Sequence, residues 1–279
     1  MKISGFSIAR DIRQYHYPVE AAIRSVLPIC DEFVVNVGES VDDTLEIILA
    51  IHDPKIKIIQ RRWDDRQSDM LSFETNQALR QCAGDWAFYV QADEVYHEDD
   101  LPRLKELMER HLYDPQVDAF RLRWLHFFGS YYRYRIDHGW FQKQDRIIRN
   151  NGTVESCTDA WAFCRKDGWP FKVLKTGCLL YHYGWVHPGD VMTRRRLNAE
   201  RLWGKAVEAD GRETEYDYGD LNRFPVYFGS HPAVMQELIA AHELSRRDWE
   251  DIKRRYWWHP ARWLRWRYKT WRREKRPLT

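Results

Sequence analysis

Along the first hundred residues, short apolar runs alternate with stretches whose apolar positions recur at helical spacing. Lys2 to Ile8 predicts a strand, and Pro18 then opens a helix over Val19 to Leu27, with Ala22, Ile23, Val26 and Leu27 on one face. Glu32 to Val37 predicts a second strand. Asp42 or Asp43 suits the start of the next helix, because a short carboxylate accepts from the free amides of a first turn, and Leu45, Ile48 and Leu49 give that helix its apolar face. Lys55 to Gln60 is a third strand and Phe73 to Cys82 a helix stopped by Gly84. Trp86 to Val90 is almost wholly apolar, as a central strand covered on both faces must be. This alternation predicts βαβ units and an α/β fold with a mostly parallel sheet.

Pro102 opens a further amphipathic helix carrying Leu104, Leu107, Met108 and Leu112. Beyond it the pattern predicts a strand over Ala119 to Phe128, a strand and turn over Asp145 to Val154 around Asn151-Gly152, and a strand pair over Val173 to Tyr183. After Asp190 the chain reads as helical, with a long loop from Ala209 to Pro232.

Composition narrows the classes. A chain of 279 residues that is 44% hydrophobic and 15% aromatic can bury a substantial core, and a net charge of +2 is too small for the whole surface to recruit a polyanion. The five cysteines form no close CxxC pair and are expected to be reduced thiols. With no apolar leader core at the start and no run of eighteen apolar residues, a cytosolic chain that does not span a membrane is expected.

In a parallel sheet, ligands sit outside the carboxyl ends of the strands. Those ends carry Ala9-Arg10-Asp11, Glu39-Ser40, Arg61 to Asp65, and Gln91-Ala92-Asp93-Glu94. Carboxylates there can hold a hard divalent cation that neutralises a departing diphosphate; on the residues alone, capping a helix or solvating a loop remains open for them. His182, directly after an apolar run, offers an imidazole ligand, with His187 ranking below it. The run Arg194-Arg195-Arg196, and Arg146 with Arg149, could bring guanidinium charge to a phosphate or simply solvate a surface.

The stretch FETNQALRQCAGDWAFYVQADE, Phe73 to Glu94, closely resembles the family 2 glycosyltransferases, whose pattern is a helix with Asn and Ala, an Ala-x-Gly-Asp-Trp turn, an apolar strand and Asp-Ala-Asp-Glu. The resemblance extends to Ala9-Arg10-Asp11, where the family usually has Arg-Asn-Glu, and to Gly38 through Thr44, similar to its Asp-Gly-Ser-x-Asp-Gly-Thr loop. It covers roughly the first half of the chain. It implies a GT-A (Rossmann-like) fold with helices on both faces of the sheet. Residues 1–190 would form the nucleotide-sugar-binding and catalytic domain, with an acceptor part at about 119–190. Residues 191–279 would be a helical C-terminal extension.

The implied activity is inverting transfer of a sugar from a nucleotide-diphosphate sugar to a hydroxyl of a glycan or lipid-linked glycan, assisted by Mn²⁺ or Mg²⁺. By similarity Ala9, Arg10, Glu39, Asp42, Gln91 and Ala92 would lie at the nucleotide sugar, and Asp93, Glu94 and His182 at the metal. Asn76 would steady the loop at the strand end or serve as a satisfied amide within its helix. Gln91 stands where the family has the first Asp of Asp-x-Asp. An amide brings no charge, so metal affinity would rest on Asp93 and Glu94, and metal dependence is left open. An inverting transfer needs a carboxylate base. Glu155 matches the family's Val-His-Glu without its His, Asp159 follows it, and Asp137 lies behind. A non-catalytic nucleotide-sugar-binding or scaffolding protein that keeps the fold is the alternative.

From Leu244 onward there are 13 Lys or Arg against 4 Asp or Glu, interleaved with six Trp. The stretch Trp257 to Arg273 suits either an anionic membrane surface or packing on the catalytic domain with the Arg heads in solvent. No nucleic-acid-binding motif accompanies it, so no nucleic acid partner is expected.

Overall fold

The computed structural model describes residues 1–137, 139–202 and 215–257. These form β1 (Ile3–Ala9), α1 (Val19–Val26), β2 (Glu32–Gly38), α2 (Thr44–Leu49), β3 (Ile56–Arg61), α3 (Met70–Leu79), β4 (Trp86–Tyr89), β5 (Glu94–Tyr96) and α4 (Leu101–Arg110). They continue with β6 (Ala119–Phe128), β7 (Ser130–Arg135), β8 (Lys143–Arg149), β9 (Val154–Cys157), β10 (Ala162–Arg165), β11 (Val173–Trp185), α5 (Gly189–Leu202), α6 (Gln236–Ala241) and α7 (Glu243–Trp257).

One sheet runs in the order β3-β2-β1-β4-β8-β6-β11-β5, with β7 added on β6; β9 and β10 form a separate hairpin. The first four strands are parallel, as the alternation of strand and helix predicts. The rest of the sheet is mixed. β8 is antiparallel to both β4 and β6, β5 is antiparallel to β11, and β6 pairs with β11 in parallel.

The strands alternate between two cores because successive side chains point to opposite faces. Phe33, Val35, Trp86 and Phe88 pack under Ile23, Val26, Ile48, Leu104 and Met108 of α1, α2 and α4. Phe6, Val34, Ala87 and Tyr89 face the other way, onto Ala78 and Leu79 of α3 and onto Val154 and Phe163 of the hairpin. Each such side chain contributes roughly 1.5–3 kcal/mol on burial, so β4, which has all four side chains buried, is fixed in place.

Three local expectations change. The helix expected from Phe73 starts at Met70. The strand pair expected over Val173 to Tyr183 is one continuous 13-residue strand. Its pairing with β6 shifts register between Lys175 and Leu179, and Gly177 there has φ of 78°, which accommodates a bulge that an alternating pattern reads as a break. Strands β5 and β7 were not expected at all; β5 is a three-residue segment whose partner β11 lies far along the chain, and β7 folds straight back on β6 after Gly129.

The C-terminal helix is docked on β7. Arg133 and Asp248, both almost fully buried, are 2.9 Å apart, Ser245 Oγ accepts from the Tyr131 amide at 2.9 Å, and Trp249 stacks on Tyr132 with centroids 4.5 Å apart. All five cysteines are unpaired thiols. No helix among the described residues is long and apolar enough to cross a membrane. The basic, Trp-rich stretch from residue 258 onward lies outside the described residues, and with it the expected membrane contact.

Candidate active site

Strand β4 ends at Tyr89, and the chain turns immediately, with the Glu94 amide donating to the Gln91 carbonyl at 3.0 Å. This turn sends neighbouring carboxylates in different directions. Glu94 is fully buried, and its two oxygens accept from Arg146 Nε and Nη2 at 2.8 Å and from the Gln91 amide at 3.2 Å. Antiparallel pairing of β8 with β4 brings Arg146 there. Burial opposes the charge on Arg146, but Glu94 outweighs it and raises the guanidinium pKa. Glu94, expected as a metal ligand, is therefore committed to an internal ion pair, with no oxygen turned toward a cation.

Asp93 faces the other way. Its Oδ2 accepts from Arg195 Nη2 at 2.8 Å and lies 3.7 Å from His182 Nε2. Burial works to raise the Asp93 pKa, but His182 in its protonated form and Arg195 prevail and hold it below the ordinary carboxylate value. His182 is delivered by β11, where it pairs with Glu94 on one side and His126 on the other. Its Nδ1 is 3.0 Å from His126 Nδ1, and His126 Nε2 is 2.6 Å from the Phe141 carbonyl.

That chain fixes the tautomers. A carbonyl only accepts, so His126 Nε2 carries the proton and its Nδ1 accepts from His182 Nδ1–H. His182 Nε2 is thereby left bare, pointing at Asp93. Burial keeps both rings neutral at pH 7: it lowers the His182 pKa and pushes His126 down to about 3. A bare imidazole nitrogen and a carboxylate oxygen converging on one spot suit a divalent ion, and a hydrogen bond behind the ligating ring is the usual support for such a ligand. Gly184 keeps that spot open. A Cβ there would lie 2.6 Å from Asp93 Oδ2 and 2.7 Å from His182 Nε2.

Arg195, on α5, also contacts His187 Nε2 and sits 4.2 Å above the Tyr17 ring. His187 is therefore a positioning partner for Arg195, and burial followed by Arg195 itself holds its pKa well below the ordinary value. Among the described residues, no group of three His, Cys, Asp or Glu side chains converges as a metal cage.

A cleft of about 220 Å³ opens beside this centre, lined by Ala9, Arg10, Trp63, Gln91, Asp93 and Asp159 among others. Arg10 lies over the Trp63 ring at 4.9 Å and bonds Asp65 at 2.6 Å. The Trp63 indole N–H has no partner among the described residues, a buried donor that a ligand could satisfy. Ala92 lines the same cleft. Glu39 and Asp42 instead line a neighbouring groove of about 590 Å³ with Arg61 and Arg62. There Asp42 is engaged with the Thr44 and Gln14 amides at 3.0 and 2.8 Å, which ties the loop after β1 to α2. A further groove of about 550 Å³, lined by Met1, Cys30, Lys55 and Lys105, lies at the opposite end of the strands.

The remaining candidates separate. Asn76 exchanges two hydrogen bonds with Ser156, at 2.8 and 3.0 Å, so it pins the hairpin to α3 and is the satisfied amide. Asp159 lines the cleft, whereas Glu155, half-buried on β9, does not. Asp137 is paired with Arg135. Arg149 spends its guanidinium on four carbonyls near the start of β4, away from the cleft. His126, Gly184 and Tyr17 have no local signal in the sequence, because their roles depend on strands and loops meeting across long separations; Trp63 falls within the strand end Arg61 to Asp65.

A cleft at the carboxyl end of parallel strands is where α/β folds bind their ligands. Residues 18–167, more than half of the chain, match the family model described as glycosyl transferase family 2, and the chain belongs to that family. The parallel half of its sheet, β3-β2-β1-β4, is the Rossmann-like core that the family resemblance implies. Similar solved structures include S. aureus TarS 1-349 in complex with UDP, at 17% identity and a TM-score of 0.45, covering 76% of this chain and 68% of that one. The longer S. aureus TarS structure matches at 16% identity and a TM-score of 0.42 over 76% of this chain, which spans 41% of that protein's length. Glucosyl-3-phosphoglycerate synthase from Mycobacterium tuberculosis, in complex with Mn²⁺, UDP and phosphoglyceric acid, matches at 16% identity and a TM-score of 0.33, over 44% of this chain and 43% of that one. No curated protein sequence matches the chain.

Proposed function

We propose that this protein transfers a sugar, with inversion, from a nucleotide-diphosphate sugar to a hydroxyl of a glycan or lipid-linked glycan. The observation that carries this reading is the convergence of Asp93 Oδ2 and the bare His182 Nε2 on the space left by Gly184, at the end of β4 and beside the cleft. The nucleotide lies along Ala9, Arg10 and Trp63, with Gln91 and Ala92 toward the diphosphate, and Glu39 at the mouth of the neighbouring groove. Mn²⁺ or Mg²⁺ held by Asp93 and His182 would neutralise charge developing on the departing diphosphate. Glu94 serves this site by bracing Arg146. Arg195, already at Asp93, offers a second cation for the phosphates. Asp159 takes the acceptor proton, because of the carboxylates considered as base it is the one that lines the cleft.

With only two protein ligands and a guanidinium already on Asp93, the cation would bind weakly until a diphosphate supplies further oxygens. Helix α5 belongs to the working site through Arg195, and catalysis at the cytoplasmic face of a membrane is the proposed setting.

Thermal melting with a panel of nucleoside diphosphates, with and without Mn²⁺, tests the reading, since a ligand of the native state raises its melting temperature. The expected result is a shift with one nucleotide that Mn²⁺ enlarges and EDTA reverses, together with nucleotide-sugar hydrolysis. Absence of any shift would sink the donor site. A shift without hydrolysis or transfer would favour the non-catalytic binding protein, for which the neutral Gln91 speaks.

A further inference from the structure

The segment after β9 is built in an unusual way. Thr158, Asp159 and Ala160 have φ of 55°, 56° and 62°, three consecutive residues with side chains in the left-handed region. Such strain persists only where the surroundings over-determine it, and it gathers at functional sites. Here the surroundings do so. The Ala160 amide donates to Ser72 Oγ at 2.7 Å, Gln91 Nε2 donates to the Ala160 carbonyl at 3.1 Å, and Arg146 Nη1 donates to the Trp161 carbonyl at 3.1 Å.

This gives a physical reason for Gln91. The bond to Ala160 needs an N–H donor, which a carboxylate lacks. The residue that departs from the family pattern at the donor site thus makes a contact that an aspartate could not.

The pinned segment presents an aromatic surface. Trp161 is stacked on Phe141 with centroids 4.5 Å apart and planes inclined by 26°. Their exposures are 36% and 53%. The Phe141 carbonyl is held by His126, the ring that also orients His182. Both aromatic residues are therefore fixed by side chains that lead back to the strand end at Gln91 to Glu94. Trp161 is two residues beyond Asp159, so their Cα atoms are at most about 7.6 Å apart.

We propose that a pyranose ring of the acceptor lies on an outer face of the stacked Phe141–Trp161 pair, each ring backing the other, and that Gln91 positions this platform beside Asp159. The inference rests on the glycosyltransferase reading. A pyranose has a C–H face that meets the negative face of an aromatic ring, while its hydroxyls stay at the edge. A stacked pair whose backbone carbonyls are pinned, two residues along the chain from a carboxylate, suits that ligand: a face to stack on and a base nearby in the chain. The patch is two side chains wide, far below the area that a stable protein partner buries.

The test is saturation-transfer NMR on the full chain, without nucleotide, using methyl β-glycosides of glucose, galactose and N-acetylglucosamine and methyl α-mannoside as probes. At least one glycoside is expected to receive saturation on its ring C–H protons. Its affinity should fall about fivefold in Trp161→Ala and in Phe141→Ala and be kept in Phe141→Tyr. Gln91→Glu, which keeps the shape but loses the donor, should lower it about threefold. Wild type that contacts none of the glycosides, or an unchanged affinity in both alanine variants, would overturn the platform. An unchanged affinity in Gln91→Glu would overturn the positioning role.

Nucleotide-induced melting shifts are measured on the same samples. A shift retained in Trp161→Ala shows a folded donor site. Glycoside failure with that shift intact condemns the platform alone, whereas loss of the shift in wild type condemns the glycosyltransferase reading.

Discussion

The two halves of the central sheet differ in what they bury beside their apolar side chains. In β3-β2-β1-β4 the buried side chains are mostly apolar, strands pair in register, and helices cover both faces. In β8-β6-β11-β5 the buried set includes His126, Gln144, Arg146, Thr176, His182 and Glu94. The first half is stabilised by non-directional burial and needs only the right pattern. The second relies on directional pairs that must meet at particular atoms, and these pairs orient the site. One sheet therefore combines a tolerant scaffold with an exacting one, and they meet at Asp93 and Glu94.

Asp93→Ala should separate the two functions most sharply. Turnover is expected to fall by about 100-fold or more, the scale seen when a group stabilising a leaving charge is removed. The Mn²⁺-dependent part of the nucleotide melting shift should vanish as well. Wild-type metal dependence in that variant would break the assignment.

Glu94→Ala should act on stability instead. Leaving Arg146 buried and unpaired is expected to cost about 3–5 kcal/mol in urea unfolding, whereas replacing the pair by apolar residues of similar volume should cost far less. A loss under about 1 kcal/mol would show that the second half does not depend on its ion pair as argued.

Acid should find the same half. Burial pushes His231 and His242, both packed near Tyr131, down to about 4. Below pH 6.5 the unfolded chain binds protons that the folded chain refuses, so stability falls as pH drops from 6.5 to about 4 and these two groups add no further loss below that. Each of the two groups contributes up to about 3 kcal/mol, and His231→Gln should flatten the melting temperature against pH across that window.

Asn76→Ala should have the smallest effect. Two bonds to Ser156 join the tolerant half to the hairpin, and their loss is expected to cost about 1–2 kcal/mol by thermal melting with nucleotide binding retained. Loss of nucleotide binding in a folded variant would return Asn76 to the donor site.

The sequence by itself determined the parallel half. Strands β1 to β4 and the helices between them follow from apolar periodicity, which is a local property, and the run Trp86 to Val90 located the end where ligands gather. Even there, the start of α3 was misplaced by three residues: Asp69, a residue type suited to an N-cap, precedes it, although its side chain makes no capping bond. The same pattern brought Asp93 and Glu94 forward together, since adjacent carboxylates look alike in sequence.

Only the tertiary structure decided between them. Arg195 reaches Asp93 from 102 residues away through the placement of α5, and Arg146 reaches Glu94 from 52 through a strand pairing whose register no local window records. His126 meets His182 across 56 residues for the same reason. Periodicity encodes which face is buried. It does not encode which polar atom waits there, and in this protein the chemistry depends on that second fact.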